Sequence, residues 1–198
     1  MNRDDAEKMV IQLQRAHRLA VGFYKRILPT FDYLANQIGC QFWEWYPLYT
    51  SRPCRSSSQP SASWTWDYVP LYASGHVYGR QQDPARTCVD DLSIEFDLII
   101  EESFDPSRRE SRQQPDPISL PAGESVVKIS LYRPKEDFDI PFDDLWAEPE
   151  EVEEASGRWF NSTEHFEGYR LCWPLGDLIS DVQPLIDELK RLDNRVNW

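Results

Sequence analysis

The stretch from Leu92 to Glu101, LSIEFDLIIE, constrains the fold more than any other. Leu92, Ile94, Phe96, Leu98 and Ile100 alternate with Ser93, Glu95, Asp97 and Glu101. Period-two alternation predicts a strand with one face in a core and the other turned outward. One such strand cannot cover its own apolar face, so further strands and a second layer are required. SVVKISLYRP supplies a strand with Val127, Ile129 and Leu131 inward, and EGYRLCWPL reads as another, from about Glu167 to Trp173. Lys128 would lie on the outer face, where it can neutralise Glu95 or Asp97 across the ladder.

The covering layer is legible at both ends of the chain. Met9, Leu13, Ala16, Ala20, Phe23 and Ile27 recur at steps of four and three, and Phe31, Leu34 and Ile38 resume the rhythm. That spacing predicts a helix from about Asp5 to Ile38, capped by Asn2 or Asp4 and kinked or split by Pro29 near Leu28. It would lie across the sheet or pair with a second copy as a coiled coil. GDLISDVQPLIDELKRL predicts a C-terminal helix with Leu178, Val182, Leu185, Ile186 and Leu189 as its stripe. Asp177 would be its cap and Pro184 its kink. The expected fold is α+β: a long N-terminal helix and a C-terminal helix packed on one face of a mainly antiparallel sheet, in a single domain over 1–198.

Two segments echo each other, WEWYPLY at 43–49 and WDYVPLY at 66–72, separated by a polar connector. As strands they would make a hairpin. Trp43, Trp45, Pro47 and Tyr49 would share one face, as would Trp66, Tyr68, Pro70 and Tyr72. The prolines place them at edges or strand ends. Most of these rings are expected in the core. Tyr49, Trp64 and Tyr72, near strand ends beside an Arg-bearing loop, are candidate contact residues, since Trp, Tyr and Arg dominate interfaces.

Charge narrows the partners. The formal net charge is −13, which disfavours direct binding of nucleic acid or anionic lipid. Residues 136–154 form an acidic, partly irregular segment with ten acids and no base. They are interleaved with Phe138, Ile140, Phe142, Leu145 and Trp146. Acids that steer and rings that anchor suit a partner protein with a basic surface. Asp139, Phe142, Asp143, Asp144, Trp146, Glu148, Glu150 and Glu151 are the candidate residues. A DNA mimic is less suited, because the acids are concentrated rather than spread. The alternative reading of the segment is a solvated loop whose rings cap the core.

Catalytic signatures are sparse. GxGxxG, P-loop, GxSxG and HExxH patterns are missing. His17 reads as a structural histidine near the helix stripe. His76 would meet Glu95 or Asp97 across a sheet, as in acid–base catalysis, or simply belong to a solvated face. Glu95, Asp97 and Lys128 are the only set resembling a metal-dependent nuclease site, without its usual acid-x-Lys spacing. Cys40, Cys54, Cys88 and Cys172 have no zinc spacing, so no metal and no cofactor are expected. The N-terminus is charged, no run is long enough to span a bilayer, and Asn161 in NST has no secretory context. These features lead to a non-enzymatic cytosolic protein-binding domain, in its most concrete form an immunity protein or inhibitor that occludes a basic surface. The alternatives are a hydrolytic or nuclease-type enzyme using His76 with Glu95/Asp97, and a structural subunit or homodimer held by the N-terminal helix.

Overall fold

Six strands form one sheet in the computed structural model, which describes residues 2–50, 70–101, 123–146 and 157–193. The strands are β1 (Gln41–Pro47), β2 (Ala73–Arg80), β3 (Leu92–Ile99), β4 (Val126–Pro134), β5 (Phe160–Asn161) and β6 (Phe166–Pro174). Their order is β1-β2-β3-β4-β6-β5, and every neighbouring pair is antiparallel. The helices are α1 (Arg3–Asn36), α2 (Phe142–Leu145), α3 (Leu175–Ser180) and α4 (Gln183–Leu192). The fold is α+β, with α1 and the C-terminal helices on one face of the sheet.

The core lies where the alternation places it. Ile94, Phe96, Leu98, Val127, Ile129 and Leu131 are fully buried. They pack with Ile27, Phe31 and Leu34 of α1 and with Leu178, Leu185 and Leu189 of α3 and α4. Phe31 stacks flat on Phe96 at 5.0 Å. Register pairs Asp97 with Lys128, as the outer-face charges predict.

Three local expectations are corrected. α1 runs unbroken through Pro29, because Ile27 and Phe31 on either side of it are held in the core. Only its C-terminal third packs against the sheet. Met9, Leu13, Leu19 and Val21 are about half exposed or more, and His17 is exposed rather than enclosed. At the other end, Pro184 breaks the helix instead of bending it. It sits in the first turn of α4, where a missing N–H costs nothing, and Asp181 accepts from the Gln183 amide at 2.9 Å. Asp177 falls inside the first turn of α3, whose N-cap is Pro174.

The third correction concerns the echo. Its first copy is strand β1, paired with β2 as a hairpin. In the second copy, residues 66–69 lie outside the described residues, Pro70–Tyr72 is a short 3-10 turn, and the strand begins only at Ala73. Within β1 the register slips between Phe42 and Glu44. A bulge of this kind inverts the alternation beyond it. Phe42 and Trp45 therefore share the helix-bearing face with Tyr78 and His76, while Glu44 and Tyr46 stand opposite Val77 and Gly75 on the other face. Trp43 joins them there, and Trp43 and Trp45 do not share a side.

Candidate functional site

Glycines explain how the helix-free face of the sheet acquires a floor of rings. A Cβ on Gly79 would lie 1.8 Å from the Trp43 ring, one on Gly75 2.6 Å from Tyr46, and one on Gly168 2.6 Å from Phe160. Each ring therefore lies flat against a strand, in space that any other residue would fill. Between them the ladder aligns Glu44, Val77, Glu95, Ser130 and Arg170 in one row across five strands. The adjacent row holds Tyr46, Gly75, Asp97, Lys128 and Cys172.

A wall rises over this floor from the acidic segment. Its first residues are tied to the loop before β3. Thr87 and Phe138 exchange backbone hydrogen bonds, Thr87 Oγ1 donates to the Ile140 carbonyl, and the Asp137 carboxylate accepts from the Val89 amide at 2.7 Å. Asp139 is paired with Arg86 at 2.8 Å. The one-turn helix α2 follows. Phe142 meets Trp43 edge-on at 5.7 Å, Trp146 meets Tyr132 at 4.8 Å, and both pack on Phe166. The result is a second, smaller aromatic core on the far side of the sheet.

Wall and floor enclose an open cleft of about 730 Å³. Rings of Trp43, Tyr46, Tyr132 and Trp146 line it, with Glu44 and Asp143 on its rim and Glu95 and Arg170 within. The Tyr46 hydroxyl donates to Glu95 Oε1. Arg170 reaches the Tyr132 hydroxyl at 3.4 Å, but its Nε is buried without a hydrogen-bond partner among the described residues. Asp97 Oδ1 is in the same position. Burial raises the pKa of both Glu95 and Asp97, and repulsion from Asp97 raises that of Glu95 further, while Arg170 pulls both back. Glu95 therefore holds a proton at neutral pH and shares it with Asp97, which has the Lys128 ammonium beside it.

The predicted residues divide accordingly. Phe142, Asp143 and Trp146 come together at the cleft. Phe142 is buried and shapes the wall; Asp143 and Asp144 are exposed. Asp139 lies apart, with Arg86. Tyr49 and Tyr72 pack with Leu48 and Ala73 near the end of the hairpin, and Tyr72 is buried there rather than presented to a partner. Trp64, Glu148, Glu150 and Glu151 lie outside the described residues. His76 does not meet Glu95 or Asp97. It points into the core on the opposite face, against Phe31 and Ser74 Oγ, and burial lowers its pKa to about 4. Glu44, Tyr46, Tyr132 and Arg170 were not anticipated. The available signal was the pair of glycines in β2, which mark close approach to a strand.

No curated protein and no solved structure matches the chain. A family profile described as PM0109 matches residues 3–196, nearly the whole length, so the chain belongs to the PM0109 family.

Proposed function

We propose that the protein is a non-enzymatic binding domain of the cytosol whose cleft receives a cationic side chain from a basic partner protein. The observation that carries this reading is the rim of the cleft, where two carboxylates, Glu44 and Asp143, stand beside the rings of Trp43, Tyr46 and Trp146, with Arg170 lying deeper. Carboxylates attract a guanidinium or ammonium, and an aromatic face then holds it by cation–π attraction. The net charge of −13 favours fast encounter with such a partner. In this reading the anchor is the cleft, and the acids of 136–154 steer. An immunity protein or an inhibitor that covers the basic working surface of its target is the concrete form.

Octa-arginine and its all-citrulline counterpart serve as probes, with the indole N–H resonances of Trp43 and Trp146 as the readout. The arginine peptide should shift both, and the response should fall at least tenfold in affinity in Glu44→Lys/Asp143→Lys. Equal shifts from the citrulline peptide, or none from either, would end the proposal.

A second reading has one specific observation in its favour. Burial raises the pKa of both Glu95 and Asp97, and their repulsion favours one proton shared between them with Glu95 the stronger holder, an arrangement that suits a general acid and its partner. This version of the enzymatic reading dispenses with His76. Its support would be turnover of chromogenic glycoside or phosphodiester substrates that disappears in Glu95→Gln.

A further inference from the structure

Most of α1 leaves the domain. Its first buried residue is Ile27, and from Arg3 to Gly22 every residue is exposed except Ala6, which is half-buried. Met9 is 53% exposed, Leu13 55% and Val21 67%. The persistence of a helix in water usually depends on packing of an apolar face. The exposed residues Met9, Leu13, Ala16 and Ala20 lie on the same stripe as Phe23, Ile27, Phe31 and Leu34. The seam that enters the core thus continues outward without a partner.

The order of side-chain sizes along this seam selects the partner. In heptad terms the seam runs Ala6, Met9, Leu13, Ala16, Ala20, Phe23, and about a point between Gln14 and Arg15 each large residue has a small one at its mirror position. We propose that α1 pairs with the α1 of a second copy as an antiparallel two-helix coiled coil, with its two-fold axis at that point. Leu13 then faces the partner's Ala16, Met9 the partner's Ala20, and Phe23 the partner's Ala6. Every layer sets one large residue against one small one, which is the condition for even packing. A parallel pair in register would stack Ala16 on Ala16 and Phe23 on Phe23, alternating gaps with overfilled layers.

Charge points to the same arrangement. The outer end of α1 carries Asp4, Asp5 and Glu7 with Arg3 and Lys8, and Glu7 is paired with Arg3, which leaves Asp4 and Asp5. Residues 15–26 carry Arg15, Arg18, Lys25 and Arg26 and no acid. Antiparallel pairing brings Asp4 and Asp5 of one helix beside the basic stretch of the other, with Asp5 flanking the seam opposite the partner's Arg26. It also opposes the two helix dipoles. The parallel alternative sets like charges side by side. The interface is isologous and closes as a dimer. Because Ile27 lies some twelve residues from the axis, the two sheets are held roughly 35–40 Å apart along the helices. Both clefts stay open, and the pairing is independent of what they bind.

Light scattering on the full chain reads the proposal directly. A mass near twice 23.3 kDa is expected. Leu13→Glu should reduce it to 23.3 kDa while leaving the near-ultraviolet circular dichroism of the domain unchanged. Ile11→Gln, equally exposed but on the back of the helix, should leave the dimer intact. Spin labels fix the direction. A label at Gln14 should lie close to its symmetry mate, and one at Lys25 about 30 Å from its own. A monomer at all concentrations, a dimer indifferent to Leu13→Glu, or equally short distances at both labels would each overturn it.

Discussion

Glu95 and Asp97 stand two residues apart on one strand, facing away from the helices, and alternation alone puts them there. What alternation does not reveal is that this face is walled. The sequence presents both as ordinary outer-face acids, yet the ring of Tyr46 and the row through Arg170 remove them from water. The consequence is a pH dependence of definite sign. Unfolded, Glu95 ionises near 4.5; folded, burial holds it protonated up to about 8. Across that interval the folded chain keeps a proton that the unfolded chain has lost, so this contribution to stability is complete below 4.5 and fades as pH rises to 8. Glu95→Gln is neutral throughout. Its thermal midpoint should exceed that of the natural protein at pH 9 and approach it at pH 4. His76 acts in the opposite sense: its contribution is full above 6.5 and fades as pH falls toward 4. The two windows overlap, so in Glu95→Gln the loss of stability as pH falls from 6.5 toward 4 should be steeper than in the natural protein. A midpoint difference that does not vary with pH would show that Glu95 is not held protonated.

At the scale of the element, β1 shows how one extra residue redirects a surface. The alternation of WEWYP predicts Trp43 and Trp45 on one side, and the bulge between Phe42 and Glu44 separates them. Nothing in the local sequence marks that bulge. It is fixed by β2, whose Gly79 leaves space for the Trp43 ring and whose Gly75 leaves space for Tyr46. Gly79→Ala forces the indole off the strand, and overpacking of this kind costs about 1–3 kcal/mol. Urea titration should show that loss, and in a Trp43→Ala background the same substitution should cost much less. An equal penalty in both backgrounds would mean that ring and glycine do not compete for space. The helix α1 teaches a related lesson. Its apolar stripe runs from Met9 to Ile38 with one slip, but only the C-terminal third is covered by this chain, because the sheet extends no further.

For the whole molecule, one side chain ties the layers together. Arg80, at the end of β2, donates to both carboxylate oxygens of Asp193 at 2.8 and 3.0 Å, and also to the carbonyls of Ile38 and Asp90. It thereby joins the end of α1, the loop before β3 and the C-cap of α4. Asp193 is 6% exposed, so removing it strands a largely buried guanidinium. Asp193→Ala should lower stability by about 3–5 kcal/mol, measured by chemical denaturation. A change below about 1 kcal/mol would show that water or the two carbonyls suffice. Periodicity along the chain was sufficient to determine the α+β class, the inward faces of β3 and β4, the helices at both ends and the outer face shared by Lys128 with Glu95 and Asp97, though not which of the two it pairs with. Those are properties of residues close in sequence, which share a face because of fixed backbone geometry. The cleft, the face on which His76 lies, the parity of β1 and the covered length of α1 were decided only by the tertiary structure. Each depends on which distant segment lies against a surface, and contact between distant segments follows from packing and register rather than from any local pattern.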